Sequence, residues 1–265
     1  MKHDILSALG SHPWAEALIW YDSIDSTNDE AKRLAANGAP HGTVIISHHQ
    51  TKGRGRMGRS FHSPTGKGIY LSVILRPQCK PDELMHLTCA TAVAMCDAVE
   101  NTCNIRPGIK WINDLILASN KLGGILTELS LNGDGTVHYA IVGIGINCKH
   151  RKEDFPEELQ DMATSLEMYT KTPVSQPLLA ANMIRALEGM ANNLFTKKYT
   201  VMDCYRSDCV TIGREVIVHT PAENLQGLAI DVDPDGALVV RLSDGQMRAV
   251  QAGEVSVRGL YGYSQ

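Results

Sequence analysis

Short apolar and β-branched runs alternate with longer segments of helical period through the first two hundred residues. Alternating apolar positions predict strands at 18–22, 42–48 and 68–75. The segment 81–103 predicts one long helix, because a proline stands at its start and two acids occupy its first turn. Further strands are predicted at 109–111, 115–118, 124–129 and 138–147, with a turn at 132–135 and a second helical zone at 176–205. Strands on one side and helices on the other indicate an α+β fold rather than a doubly wound one.

The pattern changes after residue 208, where short strands and turn signals replace the helices. Asp-Pro-Asp-Gly and Ser-Asp-Gly turns separate strands that are predicted at 210–218, 225–232, 236–242 and 247–250. This pattern is typical of a small all-β barrel. We therefore expect two domains, 1–208 and 209–265. The second is about fifty-five residues long, which is close to the lower limit for a domain that folds independently. We therefore expect it to pack against the first domain.

A polar cluster, Ser26, Thr27 and Asn28, lies where the first strand passes into a predicted helix. Thr27 with Glu30 three residues later matches a capping box, and Gly38 matches the left-handed position beyond the helix end. A helix start needs one capping side chain, and three polar residues in a row exceed that need. Two interpretations stay open at this point: the cluster only caps the helix, or it also contacts a ligand.

The composition is that of an ordinary globular chain of 265 residues, with 43% hydrophobic and 20% charged residues. The seven cysteines form no C-x-x-C pair, and the first residues lack the sustained apolar core of a signal peptide. No apolar run reaches the length of a membrane-spanning helix. We therefore expect reduced thiols and a cytoplasmic protein that contacts no membrane. The seven-residue spacing of Cys89, Cys96 and Cys103 places them on one buried helical face, where they act as small hydrophobes.

The basic loop, residues 51–60, carries four permanent cations and three glycines in a chain whose net charge is −4. Glycine lets backbone N–H groups turn toward an anion, and the arginine guanidinium pairs two oxygens of a carboxylate or phosphate at once. The loop is therefore a candidate cage for a polyphosphate, and we expect it to be mobile when empty and ordered when filled. A solvated basic loop or a nonspecific RNA contact is the alternative.

Two further motifs carry candidate chemistry. Residues 110–114, Lys-Trp-Ile-Asn-Asp, end a predicted strand, and Lys121 follows beside two glycines. Two lysines near one carboxylate suit a reaction between anions. A β-hairpin whose turn happens to carry Asn113-Asp114 and Ser119-Asn120-Lys121 is the alternative explanation of the same residues. The Gly-Ile-Gly at 143–145 more often marks close packing than a nucleotide site, because the third glycine of a dinucleotide fingerprint is missing.

The order of these motifs resembles the biotin protein ligases along nearly the whole chain. The matching elements are Ser-Thr-Asn at 26–28, Gln50 with Gly-Arg-Gly-Arg-Met-Gly-Arg at 53–59, Lys-Trp-Ile-Asn-Asp at 110–114, Lys-Leu-Gly-Gly at 121–124, Gly-Ile-Gly-Ile-Asn at 143–147, and the small barrel. The family usually has proline where this chain has Ile112, and often tryptophan where it has Phe61. Neither change removes a functional group, but the first leaves the local geometry around Ile112 open.

The resemblance implies a class II synthetase-like catalytic domain, in which helices back a mixed and mainly antiparallel sheet, followed by an SH3-like barrel. It also implies that no DNA-binding module is present, since the 25 residues before Ser26 are too few for the winged helix-turn-helix of the repressor members. The resemblance leaves open whether the protein is a monomer or a homodimer.

The reaction implied by the resemblance has two steps. The carboxylate of biotin attacks the α-phosphate of ATP, which releases pyrophosphate and leaves biotinyl-5′-AMP. The biotinyl group then passes to a lysine of a carrier domain. The implied partner is the biotin carboxyl carrier domain of acetyl-CoA carboxylase or a related carboxylase, and the implied metal is Mg²⁺.

The resemblance also assigns roles to residues of this chain. The implied catalytic residues are Arg54, Asp114 and Lys121. The residues implied for biotin are Ser26, Thr27, Asn28, Gln50, Arg54, Gly55, Arg56 and Lys121. Those implied for ATP are Arg56, Arg59, Lys110, Asn113 and Asn147. Asp114 is the candidate Mg²⁺ ligand, or alternatively the base for the incoming lysine.

Two other functions fit these residues less well. The related lipoate ligases attach a substrate whose dithiolane ring prefers an apolar pocket, and they lack the Gly-Arg-Gly-Arg-x-Gly-Arg run. Biotin instead offers a ureido ring with one carbonyl acceptor and two N–H donors, each costing about 1–3 kcal/mol if buried unpaired. The polar cluster and Gln50 match that need. An RNA-binding module is disfavoured by the pI near 6.2 and by only three phenylalanines and three tryptophans.

Overall fold

The computed structural model describes residues 1–219 and 223–260, which form six α-helices and twelve strands. The helices are α1 (Lys2–Leu9), α2 (Thr27–Ala36), α3 (Leu87–Cys103), α4 (Leu166–Thr170), α5 (Gln176–Asn193) and α6 (Lys198–Asp208). The strands are β1 (Leu18–Tyr21), β2 (Thr43–Ser47), β3 (Gly68–Leu75), β4 (Gly108–Lys110), β5 (Asp114–Leu117), β6 (Asn120–Leu131), β7 (Val137–Asn147), β8 (Glu215–His219), β9 (Asn224–Val232), β10 (Leu238–Leu242), β11 (Met247–Val250) and β12 (Glu254–Val257). None of the helices in these two ranges has the length and apolar character needed to cross a bilayer.

The first seven strands form one sheet in the order β1-β2-β3-β7-β6-β5-β4. Strands β1 and β2 are parallel, and every other neighbouring pair is antiparallel. Strands β6 and β7 form a long hairpin at the centre, where Gly124 lies opposite Gly145. The prediction of an α+β fold with a mixed, mainly antiparallel sheet is confirmed.

Both faces of the sheet are covered near its centre. Helices α3 and α5 pack together over one face and share the main hydrophobic core with it. Helix α2 covers the other face, where Ala31 and Ala35 pack against Ile45, Ile74 and Ile141. Strands β2 and β3 are buried along their full length for this reason. Their sequences are therefore near-continuous apolar runs rather than strict alternations.

One helix that was predicted as continuous is interrupted. The predicted helix 81–103 divides into a 3₁₀ turn, Pro81–Leu84, and α3. The side chain of Glu83 closes that turn by accepting from the backbone N–H of Lys80 at 2.8 Å. The buried His86 ring then bonds to the carbonyl oxygen of Leu194 at 2.9 Å, a partner 108 residues away that the local pattern cannot reveal. The helical zone 176–205 likewise divides into α5 and α6.

The start of α2 corrects one predicted cap. Ser26 rather than Thr27 is the N-cap residue, and its hydroxyl accepts from the backbone N–H of Asp29 at 3.4 Å. Thr27 is the first helical residue, and its own N–H and hydroxyl both donate to the Gln50 Oε1 atom. Gly38 does adopt the predicted left-handed conformation, with φ of 88° beyond the helix end.

The last five strands form a second antiparallel sheet in the order β11-β10-β9-β8-β12. Strand β12 was not predicted, and the predicted strand 210–218 begins only at Glu215. The preceding residues attach to the larger sheet instead: the Val210 N–H donates to the carbonyl oxygen of Ile109, and the Thr211 hydroxyl accepts from the Trp111 N–H, both at 2.9 Å. The second sheet fits the expected SH3-like barrel, while the domain bounds 1–208 and 209–265 stay a prediction.

Candidate active site

A cavity of about 500 Å³ opens between the seven-stranded sheet, the basic loop and β12. All thirteen residues that the motifs singled out line this cavity. They are Ser26, Thr27, Asn28, Gln50, Arg54, Gly55, Arg56, Arg59, Lys110, Asn113, Asp114, Lys121 and Asn147. Residues up to 121 positions apart in the sequence are thus brought to one place. The cavity supplies their shared location, while the role of each residue stays a prediction.

The polar cluster is buried and already hydrogen-bonded within the protein. The backbone N–H and the hydroxyl of Thr27 lie 2.8 and 3.1 Å from the Gln50 Oε1 atom. The Gln50 Nε2 atom donates to the Ser63 hydroxyl at 2.9 Å, and that hydroxyl donates to the Phe61 carbonyl oxygen. These bonds tie the first turn of α2 to the segment after β2. The cluster therefore caps a helix, through Ser26, and also faces a cavity.

Two polar residues behind the cluster were not predicted. The Ser72 hydroxyl of β3 lies 2.8 Å from the Thr27 hydroxyl and 2.6 Å from the Asn28 Oδ1 atom. The Asn28 Nδ2 atom donates to the Leu126 carbonyl oxygen at 3.3 Å and to the Glu128 carboxylate at 3.0 Å. A signal for Ser72 was available, since it is a lone serine at the centre of a fully buried apolar strand.

The Gly-Ile-Gly sequence of β7 makes room for side chains rather than for a nucleotide. A Cβ atom at Gly143 would lie 1.8 Å from the Asn28 Oδ1 atom. A Cβ atom at Gly145 would lie 2.4 Å from the Phe61 ring. The close packing that the sequence favoured at this position is therefore present. The two glycines let the polar cluster and an aromatic ring approach the sheet backbone.

Replacing Gly143 by alanine should destabilise the fold. The added Cβ atom would clash with Asn28. Because Ser72 and Glu128 hold Asn28 in place by hydrogen bonds, Asn28 cannot move aside without a cost in free energy. Overpacking of this kind costs about 1–3 kcal/mol, or roughly 2–10 °C in the midpoint of thermal unfolding of a chain this size. The control is Gly133→Ala in the β6–β7 turn, where a Cβ atom meets nothing within 4 Å. Equal midpoints for the two variants would contradict this account of Gly143.

The basic loop folds back on itself as a tight hairpin. The Gly55 N–H donates to the Arg59 carbonyl oxygen at 2.7 Å, and Phe61 N–H donates to the Gly53 carbonyl oxygen at 2.8 Å. Gly58 takes φ of 76° at the tip, a conformation that favours glycine. A Cβ atom at Gly53 would lie 2.3 Å from the Phe61 carbonyl oxygen. At these two positions glycine is required for the hairpin itself.

Arg54 points back toward α2 and β6. Its guanidinium bonds to the Asp29 carboxylate at 2.6 Å and lies 3.2 Å from the Glu128 carboxylate. Lys32 pairs with the same Glu128 at 2.6 Å. The four side chains form a partly exposed ion network at the rim of the cavity, which links the basic loop to the residues behind the polar cluster.

Arg56 and Arg59 connect the loop to the rest of the cavity wall. The Arg56 guanidinium donates to the Asn113 Oδ1 atom at 2.9 Å and to the Gly253 carbonyl oxygen at 3.1 Å. Burial lowers the pKa of Arg56, yet the guanidinium remains charged because its ordinary pKa is so high. Arg59 forms an ion pair with Glu254 of β12. The second sheet thus contacts two loop arginines, a contribution that the sequence did not predict.

Lys110, Asp114 and Lys121 come together on β4, β5 and β6. The Lys121 Nζ atom lies 2.7 Å from the Asp114 Oδ1 atom. Burial lowers the pKa of Lys110 to about 8, against the opposing effect of the Asp114 charge. The predicted hairpin is present, but its turn is Ala118–Ser119, where both residues have positive φ, and not 119–121. Lys121 is a strand residue.

A β-bulge sets the position of Lys121. The pairing of β5 with β6 shifts register between Leu115 and Ile116. The Lys121 side chain lies over Gly124, since a Cβ atom there would be 3.4 Å from its Cε atom. Bulges commonly re-aim one side chain at a functional site. The bulge and the bare backbone of Gly124 together give the ammonium group its place in the cavity.

Trp111 anchors the Lys-Trp-Ile-Asn-Asp motif to the second sheet. Its indole Nε1–H donates to the Gly236 carbonyl oxygen at 2.8 Å, and its side chain is buried. The peptide bond between Trp111 and Ile112 is cis. Tyr205 donates its hydroxyl to the Ile112 carbonyl oxygen at 3.2 Å.

One further wall of the cavity had no sequence signal. The Lys121 N–H donates to the Met162 carbonyl oxygen at 2.8 Å, and the Asn147 side-chain amide donates to the Thr164 carbonyl oxygen at 3.0 Å. These bonds hold an irregular segment across the ends of β6 and β7. Its cavity-lining residues are Phe155, Leu159, Met162 and Ala163. They add an apolar surface beside the residues predicted for the nucleotide.

Comparisons with known proteins agree with this geometry. A model of the biotin/lipoate A/B protein ligase family matches residues 20–147, and one of the biotin protein ligase C-terminal domain matches residues 211–258. The bifunctional ligase/repressor BirA of Bacillus spizizenii is 34% identical over 245 residues, which cover 92% of this chain and 75% of the relative. The biotin–[acetyl-CoA-carboxylase] ligase of Mycobacterium tuberculosis is 32% identical over 236 residues, covering 87% and 85%. The chain belongs to the biotin protein ligase family.

A solved structure of the family shares the architecture. The biotin protein ligase from Aquifex aeolicus in complex with biotin and ATP superposes with a TM-score of 0.77 at 28% identity, covering 91% of this chain and 98% of the other. The family that the motif order indicated is therefore confirmed, together with the fold expected of a biotin protein ligase.

Proposed function

We propose that this protein joins biotin to ATP, forming biotinyl-5′-AMP and pyrophosphate, and then transfers the biotinyl group to a lysine of a biotin carboxyl carrier domain. The observation that carries the proposal is one cavity with two kinds of lining. A neutral, buried polar cluster suits the ureido ring of biotin. Cations of the basic loop and of β4 to β6 suit a carboxylate and phosphates.

The sheet order separates these two linings laterally. Helix α2, which carries the polar cluster, packs on β3 and β7, whereas Asp114 and Lys121 lie on β5 and β6. Neighbouring strands lie about 4.8 Å apart, so β3 and β5, three positions apart, are separated by roughly 14 Å. An elongated ligand with a neutral ring at one end and a carboxylate at the other fits this arrangement. Biotin carries its carboxylate at the end of a five-carbon chain.

The first step needs positive charge because two anions must meet. Unit charges about 4 Å apart repel by about 1 kcal/mol in water and by several times more in a partly dry site. Arg54, Arg56 and Lys121 are the cations that we assign to the carboxylate and the α-phosphate. Fixed cations that already face the reacting atoms stabilise the charge that develops in the transition state without reorganisation.

Arg59, Lys110, Asn113 and Asn147 are assigned to the nucleotide. Asn113 receives a bond from Arg56 and donates to the Ile125 carbonyl oxygen at 3.0 Å, so both ends of its amide are fixed. Asn147 is likewise fixed by Thr164. Prearranged amides of this kind can orient a ligand at little entropic cost.

Asp114 is the side chain that we assign to Mg²⁺. Among the described residues no three histidine, cysteine, aspartate or glutamate side chains converge as a metal site. One carboxylate is nevertheless enough for Mg²⁺, which is usually held by one or two carboxylates plus the phosphates of the substrate. The ion, when bound, would neutralise phosphate charge. Asp114 is paired with Lys121, so its second assignment, as the base for the acceptor lysine, stays an alternative.

The transfer step requires an acceptor lysine in its neutral form. Its nitrogen attacks the acyl carbon of biotinyl-5′-AMP, an amide bond forms, AMP leaves, and one proton is released. We assign the acceptor to the biotin carrier domain of acetyl-CoA carboxylase, for which the relative from Mycobacterium tuberculosis is named. The absence of DNA binding stays a prediction from the sequence, and a homodimer stays one of the two oligomeric states that the resemblance leaves open.

Isotope exchange tests the first step directly. Radiolabelled pyrophosphate should enter ATP when biotin and Mg²⁺ are both present, because the adenylation step is reversible. Omitting either one should abolish the exchange. Equal exchange with lipoate in place of biotin, or none with biotin, would rule out the assignment. Lipoate is the matched alternative substrate because its carboxylate is the same while its ring has no N–H donor.

Deprotonation of the buried Lys110 should lower the efficiency with which the enzyme uses ATP at alkaline pH. Its pKa of about 8 means that its positive charge is present below pH 8 and is lost as the pH rises through that value. At saturating biotin, kcat/KM for ATP reports the biotin-bound enzyme before ATP binds, and it should therefore fall above about pH 8. Lys110→Arg keeps the charge throughout and should remove the fall. An identical alkaline limb in the two enzymes would show that another group causes it.

A further inference from the structure

The short connection between β4 and β5 carries residues of the cavity on both sides of Ile112. Ile112 itself lines a smaller neighbouring cleft. The other residues of the Lys-Trp-Ile-Asn-Asp motif line the main cavity; they are Lys110, Trp111, Asn113 and Asp114. The side chains that we assign to the nucleotide and to Mg²⁺ therefore directly follow a residue that faces elsewhere. Their positions depend on how firmly that residue is held.

The residues on either side of Ile112 have hydrogen bonds of their own. The Trp111 N–H donates to the Thr211 hydroxyl at 2.9 Å. The Asn113 carbonyl oxygen accepts from the Ile125 N–H, also at 2.9 Å. These bonds fix the two ends of the connection, and its middle residue needs a separate partner.

Tyr205, in the last turn of α6, is that partner. Its hydroxyl lies 3.2 Å from the Ile112 carbonyl oxygen, and it must donate because a carbonyl oxygen can only accept. Within residues 1–219 and 223–260 this is the one hydrogen bond that Ile112 makes. The Tyr205 side chain is fully buried, so water does not compete for the bond. One side chain thus holds the middle of the connection.

The proton that Tyr205 donates is present over the whole pH range in which the enzyme would work. The pKa of a tyrosine hydroxyl is ordinarily about 10, and burial raises the pKa of Tyr205 well above that value. The charge of Lys110, by contrast, is lost near pH 8 because its pKa is about 8. Loss of the Tyr205 hydrogen bond and loss of the Lys110 charge therefore have different effects on a pH profile.

We propose that Tyr205 is a positioning residue for adenylate formation, which acts through the Ile112 carbonyl oxygen to hold Asn113 and Asp114 in place beside the nucleotide. The proposal rests on the proposed function and deepens it. An isoleucine has two soft backbone dihedral angles, and the hydrogen bond from Tyr205 restricts them before ATP arrives. Tyr205 does not line the cavity, so its effect on ATP passes through the motif.

Tyr205→Phe tests the proposal because it removes the hydroxyl and keeps the ring. At saturating biotin, kcat/KM for ATP in adenylate formation should fall about 10- to 100-fold, since a displacement of about 1 Å near the reacting atoms has effects of this size. The Kd of biotin, measured by isothermal titration calorimetry without ATP, should stay within about threefold, because the polar cluster is distant from β5. The pH at which kcat/KM falls should remain near 8, where Lys110 titrates.

Ile112→Pro supplies the missing rigidity in another way. Proline fixes φ and keeps the carbonyl oxygen, and the family usually has proline at this position. In the Ile112→Pro protein, adding Tyr205→Phe should change kcat/KM for ATP by no more than about twofold. The lost hydrogen bond should nevertheless lower the midpoint of thermal unfolding by roughly 2–8 °C in both backgrounds. A purely structural Tyr205 would not separate the rate from the midpoint in this way.

Two controls match the loss of the hydroxyl. Thr91→Val removes a fully buried hydroxyl that donates to the Leu87 carbonyl oxygen at 2.8 Å within α3. It should lower the midpoint of thermal unfolding without the fall in kcat/KM. Tyr199→Phe makes the same chemical change as Tyr205→Phe on α6, but Tyr199 is 71% exposed, so this variant should match the wild type.

The outcomes distinguish this inference from the function on which it rests. A wild-type protein that forms no biotinyl-5′-AMP would overturn both. Normal kcat/KM in Tyr205→Phe, an equal loss of biotin affinity, or a fall that persists with Ile112→Pro would overturn the inference and leave the proposed function intact. If Ile112→Pro fails to fold, Thr91→Val decides, because an equal fall in both hydroxyl variants would show general damage. A fall that is confined to ATP use and absent from the Ile112→Pro background would establish the role of Tyr205.

Discussion

Lys121→Ala should lower the rate of biotinyl-5′-AMP formation by about two orders of magnitude or more. The ammonium group lies in the cavity, held there by the β-bulge of β6 and by Asp114 at 2.7 Å. We assign it to the carboxylate and the α-phosphate, whose charge distribution changes most in the transition state. Removing one major electrostatic donor of this kind typically costs 10²- to 10³-fold in turnover. Single-turnover formation of the adenylate at saturating biotin and ATP measures the effect.

The same change should leave the thermal midpoint nearly unaltered. The Lys121 side chain is 35% exposed, and ion pairs with this degree of solvent access contribute about 0–1 kcal/mol. Lys121→Arg preserves the charge but alters its shape and should fall between the wild type and alanine. The exposed Lys2 of α1, outside the cavity, provides the matched control in Lys2→Ala. Near-normal turnover by Lys121→Ala would show that this lysine only stabilises the hairpin.

The parts of the fold that the sequence predicted well are those whose signal is local. Strand β3 has the predicted bounds, 68–75, because its apolar run ends at a glycine on one side and at polar residues on the other. The left-handed Gly38 was also predicted, since a helix end of this type needs a residue that tolerates positive φ. The residues of the candidate site could be predicted for a different reason, because several short motifs of unusual composition occur in the order that is typical of one family.

The residues that escaped prediction are those defined by distant partners. Ser72 contacts residues 44 and 45 positions away, and Glu128 contacts Asn28 across 100 positions. A lone serine in an apolar strand signals that a buried polar partner exists, but neither such a serine nor a single glutamate identifies the partner. The same holds for the irregular segment beside Lys121, whose Met162 is placed by a backbone hydrogen bond rather than by any periodicity.

The second sheet shows another reason why part of the fold could not be predicted from the sequence. Strand β12 has only four residues, too few to give a clear alternation, and it is recognised by its pairing with β8. Its first residue, Glu254, and the preceding Gly253 nevertheless contact two arginines of the basic loop. The barrel was expected to pack against the larger domain, because a domain of its size has only a small hydrophobic core of its own. The structure shows in addition that it lines the cavity.

Trypsin should cut the ligand-free protein first in the basic loop, and ligand should suppress that cut about a hundredfold. Lys52, Arg54 and Arg59 are exposed, and the ion pairs that hold Arg54 and Arg59 are at the surface, where each is worth about 0–1 kcal/mol. Local opening of the loop should therefore cost little. A ligand that binds only the closed loop opposes opening by RT ln(1 + [L]/Kd), about 2.7 kcal/mol at a hundredfold excess over Kd. When opening is fast relative to cleavage, the cut slows by the same factor.

The ligands should rank in protection by how much of the cavity they fill. Biotinyl-5′-AMP offers both the ureido ring and the phosphate, so it should protect best, followed by biotin and then by ATP alone. Mass mapping of the first cut, at equal excess of each ligand over its Kd, gives the site and the rate. The control is cleavage after Lys171, beyond α4 and outside the cavity, which ligand should not change. A first cut elsewhere, or a loop cut whose rate ignores all three ligands, would show that the loop is a static surface feature and that ligand does not order it.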